Sequence, residues 1–232
     1  PGVVFQNEKG VYSSRIIPYR GSWLEFEIDK KKELIYAKID HKTSKILGTI
    51  FLRALGYSSR EEIIKEFYKT EKVEVSTEAS KKEALVGRVL ASAIYIKEED
   101  SDEEKKLFRA GDKLHPHDLD ELIAHEIKEI EVIVLNAKKN ADNKDEKNPS
   151  LDSEMIVNCF EQEELIFSKD GVENPDEPTK EMCLSKVYQV LMPGEPITFD
   201  AAEKDLTSMF FSNRRYDLGR VGRYKLNKKF AY

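Results

Sequence analysis

The fold is decided by one alternating stretch, Ser22-Trp23-Leu24-Glu25-Phe26-Glu27-Ile28-Asp29. Apolar residues occupy positions 24, 26 and 28 with polar residues between them, which is the pattern of a strand with one buried face. A charged turn over 29–33 follows, and positions 35, 37 and 39 are again apolar. Together the two stretches predict a β-hairpin.

Trp23 is the single tryptophan of the chain and lies at the start of the first predicted strand. It is in phase with Glu25 and Glu27, so its side chain is predicted to leave the sheet on the face opposite the apolar residues. That face is expected to be the wetter one. Placement of the indole in a second core is the alternative, and the alternation alone leaves it open.

Helices are predicted on both sides of the chain's centre. The apolar stretch 46–55 stops at Gly56, a residue that favours a helix end. Ser59 and Glu62 have the spacing of a capping box at the start of a second helix. Further along, Pro178-Thr179 opens one helix and Asp200 opens another.

The central part of the chain has a mixed pattern. Strands are predicted over 85–96 and 127–135, on either side of a short helix over 118–126. The stretch 137–150 is rich in lysine, asparagine and aspartate and predicts a solvated loop.

Composition narrows the class of protein. The 232 residues are 40% hydrophobic and 35% charged, and no apolar run approaches the length of about 20 residues that spans a bilayer. No signal-peptide pattern opens the sequence. Cys159 and Cys183 are too few for a disulfide framework, so two buried thiols and a cytoplasmic location are expected.

Charge is segregated along the chain although the net value is only −6. The stretch 211–232 contains seven basic residues and one acid, whereas 152–180 contains nine acids and two lysines. This distribution predicts an anion-facing surface on an otherwise acidic body.

A catalytic centre is not evident. His115, His117, Glu121 and His125 are the one group that resembles a metal site, but the spacing suits a solvated helix face better. The carboxylates at 161, 163 and 164 belong to an acidic run and are predicted to be solvated. No glycine-rich phosphate loop or nucleophile elbow is present, so no catalytic residue and no metal site are predicted.

The basic tail favours contact with nucleic acid. Its arginines match phosphate oxygens, and the interleaved tyrosines can stack on bases. The alternative is that these arginines pair with acids of this chain or of a partner protein. The segment Gly219-Arg220-Val221-Gly222 also has the form of the KH backbone-clamping loop, which is a weak match.

Several blocks resemble the beta subunit of bacterial DNA-directed RNA polymerase, and they occur in the family's order. The first is Arg15-Ile16-Ile17-Pro18-Tyr19-Arg20-Gly21-Ser22-Trp23-Leu24-Glu25-Phe26-Glu27, and the later ones are Arg53-Ala54-Leu55-Gly56-Tyr57, Pro193-Gly194-Glu195-Pro196, Arg215-Tyr216-Asp217-Leu218 and Gly222-Arg223-Tyr224-Lys225-Leu226-Asn227. The resemblance is strong at both ends, weaker in the middle and absent over 137–177.

The resemblance implies an α+β fold in which a discontinuous lobe domain is built from both chain ends, 1–70 and 178–232. A smaller inserted domain, mixed α/β or β-rich, is then expected at 71–177. It also implies one jaw of the downstream DNA channel. The DNA-facing residues expected from it are Trp23, Arg20, Arg15 and Lys42, and the candidates for phosphate or intersubunit contact are Arg214, Arg215, Arg220 and Arg223.

The family further implies partners and chemistry. DNA and the beta-prime, alpha, omega and sigma subunits are the expected partners, and the catalytic Mg²⁺ is expected in beta-prime, so no cofactor is expected in this segment. Two rival hypotheses remain: an acidic inserted domain that docks transcription regulators, and a free-standing KH-like RNA-binding module.

Overall fold

The computed structural model describes residues 2–8, 10–40, 42–76, 79–97, 104–135, 154–172 and 177–230. The chain divides into a first unit, Pro1–Ser58 with Asn158–Tyr232, and a second unit, Ser59–Val157. The sequence predicted the divisions near residues 70 and 177. Both divisions lie earlier in the chain, and the second does so because residues after Asn158 contribute to the first unit's core. The mixture of helices and antiparallel sheets confirms the α+β class.

The first unit is organised around a five-stranded antiparallel sheet in chain order. Leu24 is paired with Ile39 and Phe26 with Ala37, so the predicted hairpin is confirmed. On its other side, Phe26 is paired with Ser14 of the preceding strand. The strands are β1 (Phe5–Gln6), β2 (Tyr12–Ile16), β3 (Leu24–Asp29), β4 (Leu34–Ile39) and β5 (Ile46–Leu47).

Helices supply the other half of the first unit's core. Their buried faces form one apolar cluster with Leu24, Phe26 and Ala37 of the sheet. The first helix ends at Gly56, whose φ of 125° is a conformation that glycine adopts without strain. The helices are α1 (Gly48–Leu55), α5 (Met155–Lys169), α6 (Lys180–Leu191) and α7 (Phe199–Phe211).

An ion pair is enclosed within this core. Arg53 of α1 is 1% exposed and Glu163 of α5 is 0% exposed, with 3.0 Å between Nε and Oε1. Arg53 also donates to the carbonyl of Ser58 at 2.8 Å. The prediction that the acids at 161–164 are all solvated is therefore wrong for Glu163. A helix carries every third or fourth residue to the same face, and position 163 shares its face with buried Cys159 and Phe167.

Both cysteines are buried in this core, as predicted. Burial raises the pKa of the Cys159 thiol to about 11 and that of Cys183 to about 12. The two side chains therefore behave as small hydrophobic groups.

The second unit begins with the predicted capping box. The Ser59 hydroxyl accepts from the Glu62 N–H at 3.2 Å, and the Glu62 carboxylate accepts from the Ser59 N–H. Two two-stranded antiparallel sheets follow, β6 with β9 and β7 with β8. The elements are α2 (Arg60–Phe67), β6 (Thr70–Glu74), α3 (Ala79–Leu85), β7 (Ile94–Lys97), β8 (Glu104–Phe108), α4 (Pro116–Ala124) and β9 (Glu129–Ile133).

Predictions for this unit hold in part. The strand predicted over 127–135 is confirmed as β9, but the one predicted over 85–96 is wrong except at its end, since Leu85 closes α3 and β7 starts at Ile94. The loop predicted over 137–150 lies outside the described residues. None of the helices in the described part of the chain is long and apolar enough to cross a membrane.

Candidate nucleic-acid interface

Trp23 immediately precedes β3, and its backbone is held on both sides by one residue. The Trp23 N–H donates to the Asp40 carboxylate at 2.8 Å, and the Asp40 N–H donates to the Trp23 carbonyl at 3.0 Å. Asp40 has a φ of 50°, a left-handed conformation that aspartate tolerates better than most residues. The indole is half-buried. The hairpin therefore fixes the position of the residue while part of its side chain stays accessible.

The face that Trp23 shares with Glu25 and Glu27 is polar. The expectation that it is the wetter face of the strand is wrong, since both glutamates are more buried than the apolar residues that alternate with them. Glu25 is 9% exposed and Glu27 is 7% exposed, because long basic side chains cover them. Arg15 binds Glu25 at 2.9 Å, Lys38 binds Glu27 at 2.6 Å, and Lys45 also binds Glu27. Burial alone would raise the pKa of Glu27, but the hydrogen bonds from the two lysines outweigh it and hold that pKa below its ordinary value.

Two predicted DNA-facing residues have partners within the chain. Arg15 binds Glu25, and its guanidinium carbon lies 5.1 Å from the centroid of the Phe5 ring. The Lys42 ammonium donates to the Leu191 carbonyl at the end of α6. A cation at a helix C-terminus stabilises the unpaired carbonyls there.

Arg20 joins the two ends of the chain. It forms an antiparallel bridge with Asp217, in which the Arg20 N–H donates to the Asp217 carbonyl at 3.0 Å and the reverse bond measures 2.8 Å. Its guanidinium also donates to the Asn213 carbonyl at 3.1 Å. Arg20 is thereby held beside the chain segment that contains Arg214 and Arg215, and all three arginines are exposed.

Gly21 permits this close approach. A Cβ at position 21 would lie 2.7 Å from the Arg215 carbonyl oxygen and 2.9 Å from the Tyr216 ring. The φ of Gly21 is 116°, which a residue with a side chain rarely adopts. The glycine of the Arg-Gly-Ser-Trp sequence is therefore required for the junction of the two segments.

Asp217 anchors the helix that follows, α8 (Gly219–Phe230). Its carboxylate accepts from the Gly219 N–H at 3.0 Å and from Arg223 at 3.3 Å. The backbone bond from Gly219 is the largest cause holding the pKa of Asp217 below its ordinary value, and Arg223 adds to it. Asp217 thus caps the start of α8 and orients one predicted arginine.

The Gly219-Arg220-Val221-Gly222 segment is the first turn of α8 and not a loop between helices. The KH-like interpretation is therefore wrong, because the segment that clamps nucleotides in KH domains is a loop, whereas this segment belongs to a helix. Of the predicted site residues, the structure gathers Arg20, Arg214, Arg215 and Arg223 around the 213–217 segment. Arg220 is exposed on α8.

Sequence reasoning did not select Tyr19, which is 84% exposed next to Arg20. Its Cβ would lie 3.3 Å from a Cβ placed at Gly219, so it packs against the start of α8.

Many charged side chains of the second unit are paired. Its acids are matched by bases, with Lys72 3.4 Å from Glu129, Lys113 3.3 Å from Glu154 and Arg88 bound to Glu71. His115 and His117 stack at the exposed start of α4, 5.7 Å between ring centroids. Among the described residues, no group of three or more His, Cys, Asp or Glu side chains is arranged to hold a metal ion.

The chain matches the protein family described as RNA polymerase Rpb2, domain 2, over residues 5–162 and 157–231. The chain belongs to the beta-subunit family of DNA-directed RNA polymerases, as the sequence blocks predicted. It is 56% identical over its full length to the DNA-directed RNA polymerase subunit beta of Treponema denticola, and 53% identical over 99% of its length to that of Treponema pallidum. The subunit of Borrelia hermsii is 50% identical over the full chain. The chain spans 19% of the length of each of these relatives.

Proposed function

We propose that this chain forms one jaw of the downstream DNA channel of a bacterial RNA polymerase and contacts DNA during transcription. Membership of the beta-subunit family makes it part of a polymerase, and the proposal concerns which part. The observation that carries it is the Arg20–Asp217 bridge. This bridge joins the segment that contains Trp23 to the most basic segment of the chain.

The charge of the joined segments suits a polyanion. Residues 211–232 contain seven basic side chains and a single acid, Asp217, whose carboxylate is already bonded to Gly219 and Arg223. The exposed guanidinium groups of Arg20, Arg214 and Arg215 therefore add to a positive potential near the junction. Contacts of this kind position a duplex without reading its sequence.

Trp23 is the candidate for contact with an unpaired base. An aromatic face stacks on any base, and such a contact is worth about 1–3 kcal/mol. The hairpin and the two bonds to Asp40 fix the backbone of Trp23 before DNA arrives, which lowers the entropy cost of the contact. Arg15 and Lys42 are assigned a weaker role, since each already has an acceptor within the chain.

The proposed contribution to RNA synthesis is to hold DNA. Mg²⁺ chemistry is assigned to the beta-prime subunit, and this chain's residues bind and orient the template duplex. The proposal places the chain in the cytoplasm, in an assembly with beta-prime, alpha, omega and sigma subunits.

The test is Trp23→Ala in the whole polymerase. If the indole stacks on an unpaired base, the lifetime of the open promoter complex falls by about fivefold to more than a hundredfold, which corresponds to about 1–3 kcal/mol. The rate of nucleotide addition on a preassembled elongation complex stays unchanged, because the residue does not touch the reacting atoms.

Trp23→Phe is the matched variant, since it keeps an aromatic face while the backbone bonds to Asp40 are unaffected. It is expected to restore most of the lifetime. An open complex that lives equally long with alanine and with tryptophan at position 23 contradicts the proposal.

A further inference from the structure

Tyr19 presents almost its whole side chain to solvent. At 84% it is more exposed than any other large apolar or aromatic residue in the described part of the chain. Four rings of the first unit lie against a cation or another ring: Phe5 with Arg15, Tyr12 with Lys30, Tyr36 with Lys45, and Phe26 with Phe51. Within the described residues, Tyr19 belongs to no such pair. Its ring is therefore available to an external partner.

The backbone on both sides of Tyr19 is held in place. Pro18 is buried, and Arg20 forms the antiparallel bridge with Asp217 through two hydrogen bonds. A Cβ at Gly219 would lie 3.3 Å from the Cβ of Tyr19, so the start of α8 adjoins the base of the side chain. A tyrosine side chain has only two rotatable bonds that matter for its placement, and a ring on a fixed backbone loses little entropy on binding.

Arginine side chains adjoin Tyr19 from two parts of the chain. Arg20 follows it directly, and Gly219, which lies against Tyr19, is followed by Arg220. Both arginines are exposed. Proteins that bind single strands combine these two features, since arginines hold phosphates while aromatic faces stack on bases. The surroundings of Tyr19 therefore favour unpaired nucleic acid as its partner.

Tyr19 lies close enough to Trp23 for one strand to reach both rings. Trp23 is four residues further along the chain, so the two Cα atoms are at most about 14 Å apart. Successive nucleotides of one stacked strand are about 3.4 Å apart, and about four of them cover this distance. A strand held at one ring is thereby brought to the other at a high effective concentration.

We propose that Tyr19 is a second stacking residue for unpaired nucleic acid, on the strand that Trp23 contacts. The ring supplies a face for one base, and Arg20 and Arg220 bind neighbouring phosphates. This inference rests on the proposed function, because it places the same strand at Trp23.

The first experiment measures the lifetime of the open promoter complex formed by the whole polymerase. Tyr19→Ala is expected to shorten this lifetime at least about fivefold, which corresponds to the weakest contacts between a base and an aromatic ring. Tyr19→Phe keeps an aromatic face and is expected to retain most of the lifetime. A lifetime that is unchanged in Tyr19→Ala overturns the proposal.

Ile17→Ala is the matched control for loss of an exposed apolar side chain. Ile17 is 52% exposed and lies two residues before Tyr19, but it has no face on which a base can stack. Its replacement is expected to leave the lifetime of the open complex unchanged. A loss equal to that of Tyr19→Ala would indicate a general apolar contact, such as one with protein, and would also overturn the proposal.

Photocrosslinking identifies the partner directly. A benzophenone amino acid replaces Tyr19 in the whole polymerase, and the two strands of the promoter DNA are labelled separately. The expected product joins position 19 to one strand within its unpaired region. A product with protein alone, an equal yield with duplex that stays closed, or no product at all contradicts the proposal.

The Trp23→Ala variant separates the two hypotheses. If it shortens the lifetime of the open complex while Tyr19→Ala does not, the contact by Trp23 stands and the contact by Tyr19 fails. If Trp23→Ala has no effect while position 19 still crosslinks to the unpaired strand, the contact by Tyr19 stands and the role proposed for Trp23 fails.

Discussion

Two arginine–acid pairs of the first unit form under opposite conditions. In the core, Arg53 and Glu163 are 1% and 0% exposed, whereas at the surface Arg223 and Asp217 are 67% and 33% exposed. Removing one partner of a buried pair leaves an unpaired charge in an apolar environment. Water screens the surface pair, so little stability depends on it. The buried pair therefore serves the fold, while the surface pair leaves its guanidinium accessible to a partner.

The largest expected effect comes from breaking the buried pair. Glu163→Gln is predicted to lower the free energy of unfolding by about 3–5 kcal/mol, because Arg53 keeps its charge in the core without a counterion. Urea unfolding of the chain measures the change. The double variant Arg53→Met with Glu163→Met is the control, and it is expected to be much more stable than Glu163→Gln. A double variant that is as unstable as the single one would show that the pair itself is essential.

The junction beside the surface pair is expected to depend on the backbone. Gly21→Ala adds a Cβ 2.7 Å from the Arg215 carbonyl and forces a φ of 116° on alanine. The combined overlap and strain are expected to cost about 2–4 kcal/mol. Thermal unfolding measures the loss, with Gly171→Ala as the matched control, since its φ is 79° and no atom lies within 4 Å of an added Cβ. Similar losses for both variants would mean that strain alone, and not the close approach, accounts for the effect.

Glu27, which binds Lys38 and Lys45, is expected to make an intermediate contribution to stability that depends on pH. The lysines beside Glu27 hold its pKa below the ordinary value of 4.5, so its ionised form stabilises the folded state above that pH. This contribution is lost as the pH falls through the lowered pKa. Glu27→Gln is expected to cost about 1 kcal/mol at pH 7. Urea unfolding is expected to show a difference from the native chain that shrinks below about pH 4.5, and a difference that is constant with pH would contradict the assignment.

The smallest effect is expected at the surface pair itself. Arg223→Gln is predicted to leave the free energy of unfolding almost unchanged, because solvent screens the pair. Chemical unfolding with and without 1 M NaCl measures it. A loss comparable to that of Glu163→Gln would show that burial does not separate the two pairs.

Much of this architecture follows from local sequence. The alternation at 24–28 predicted the central hairpin, and the capping box at Ser59 predicted the start of a helix, because both signals depend on neighbours within a few residues. The pairing of Glu163 was not predictable, since its partner Arg53 is more than a hundred residues away. Helix α8 escaped prediction because two glycines and few apolar residues give it a weak helical signal, and Asp217 caps it instead.

The candidate site was predictable in its residue types but not in its grouping. The basic tail and Trp23 are visible in sequence, and the family blocks mark both. Which of them meet depends on the bridge between Arg20 and Asp217, a contact between the two ends of the chain. The hydrogen bond from Lys42 to the carbonyl at the end of α6 is likewise a long-range contact that no local pattern indicates.

The buried cysteines give the first unit an internal reporter. A thiol must become a thiolate to react with disulfide reagents, and pKa values of about 11 and 12 leave almost none of it ionised at neutral pH. Steric enclosure blocks the reagent as well, so Cys159 and Cys183 become labelled only when the core opens. The rate of thiol labelling of the chain would therefore measure how often this core opens, without a fluorophore or an engineered residue.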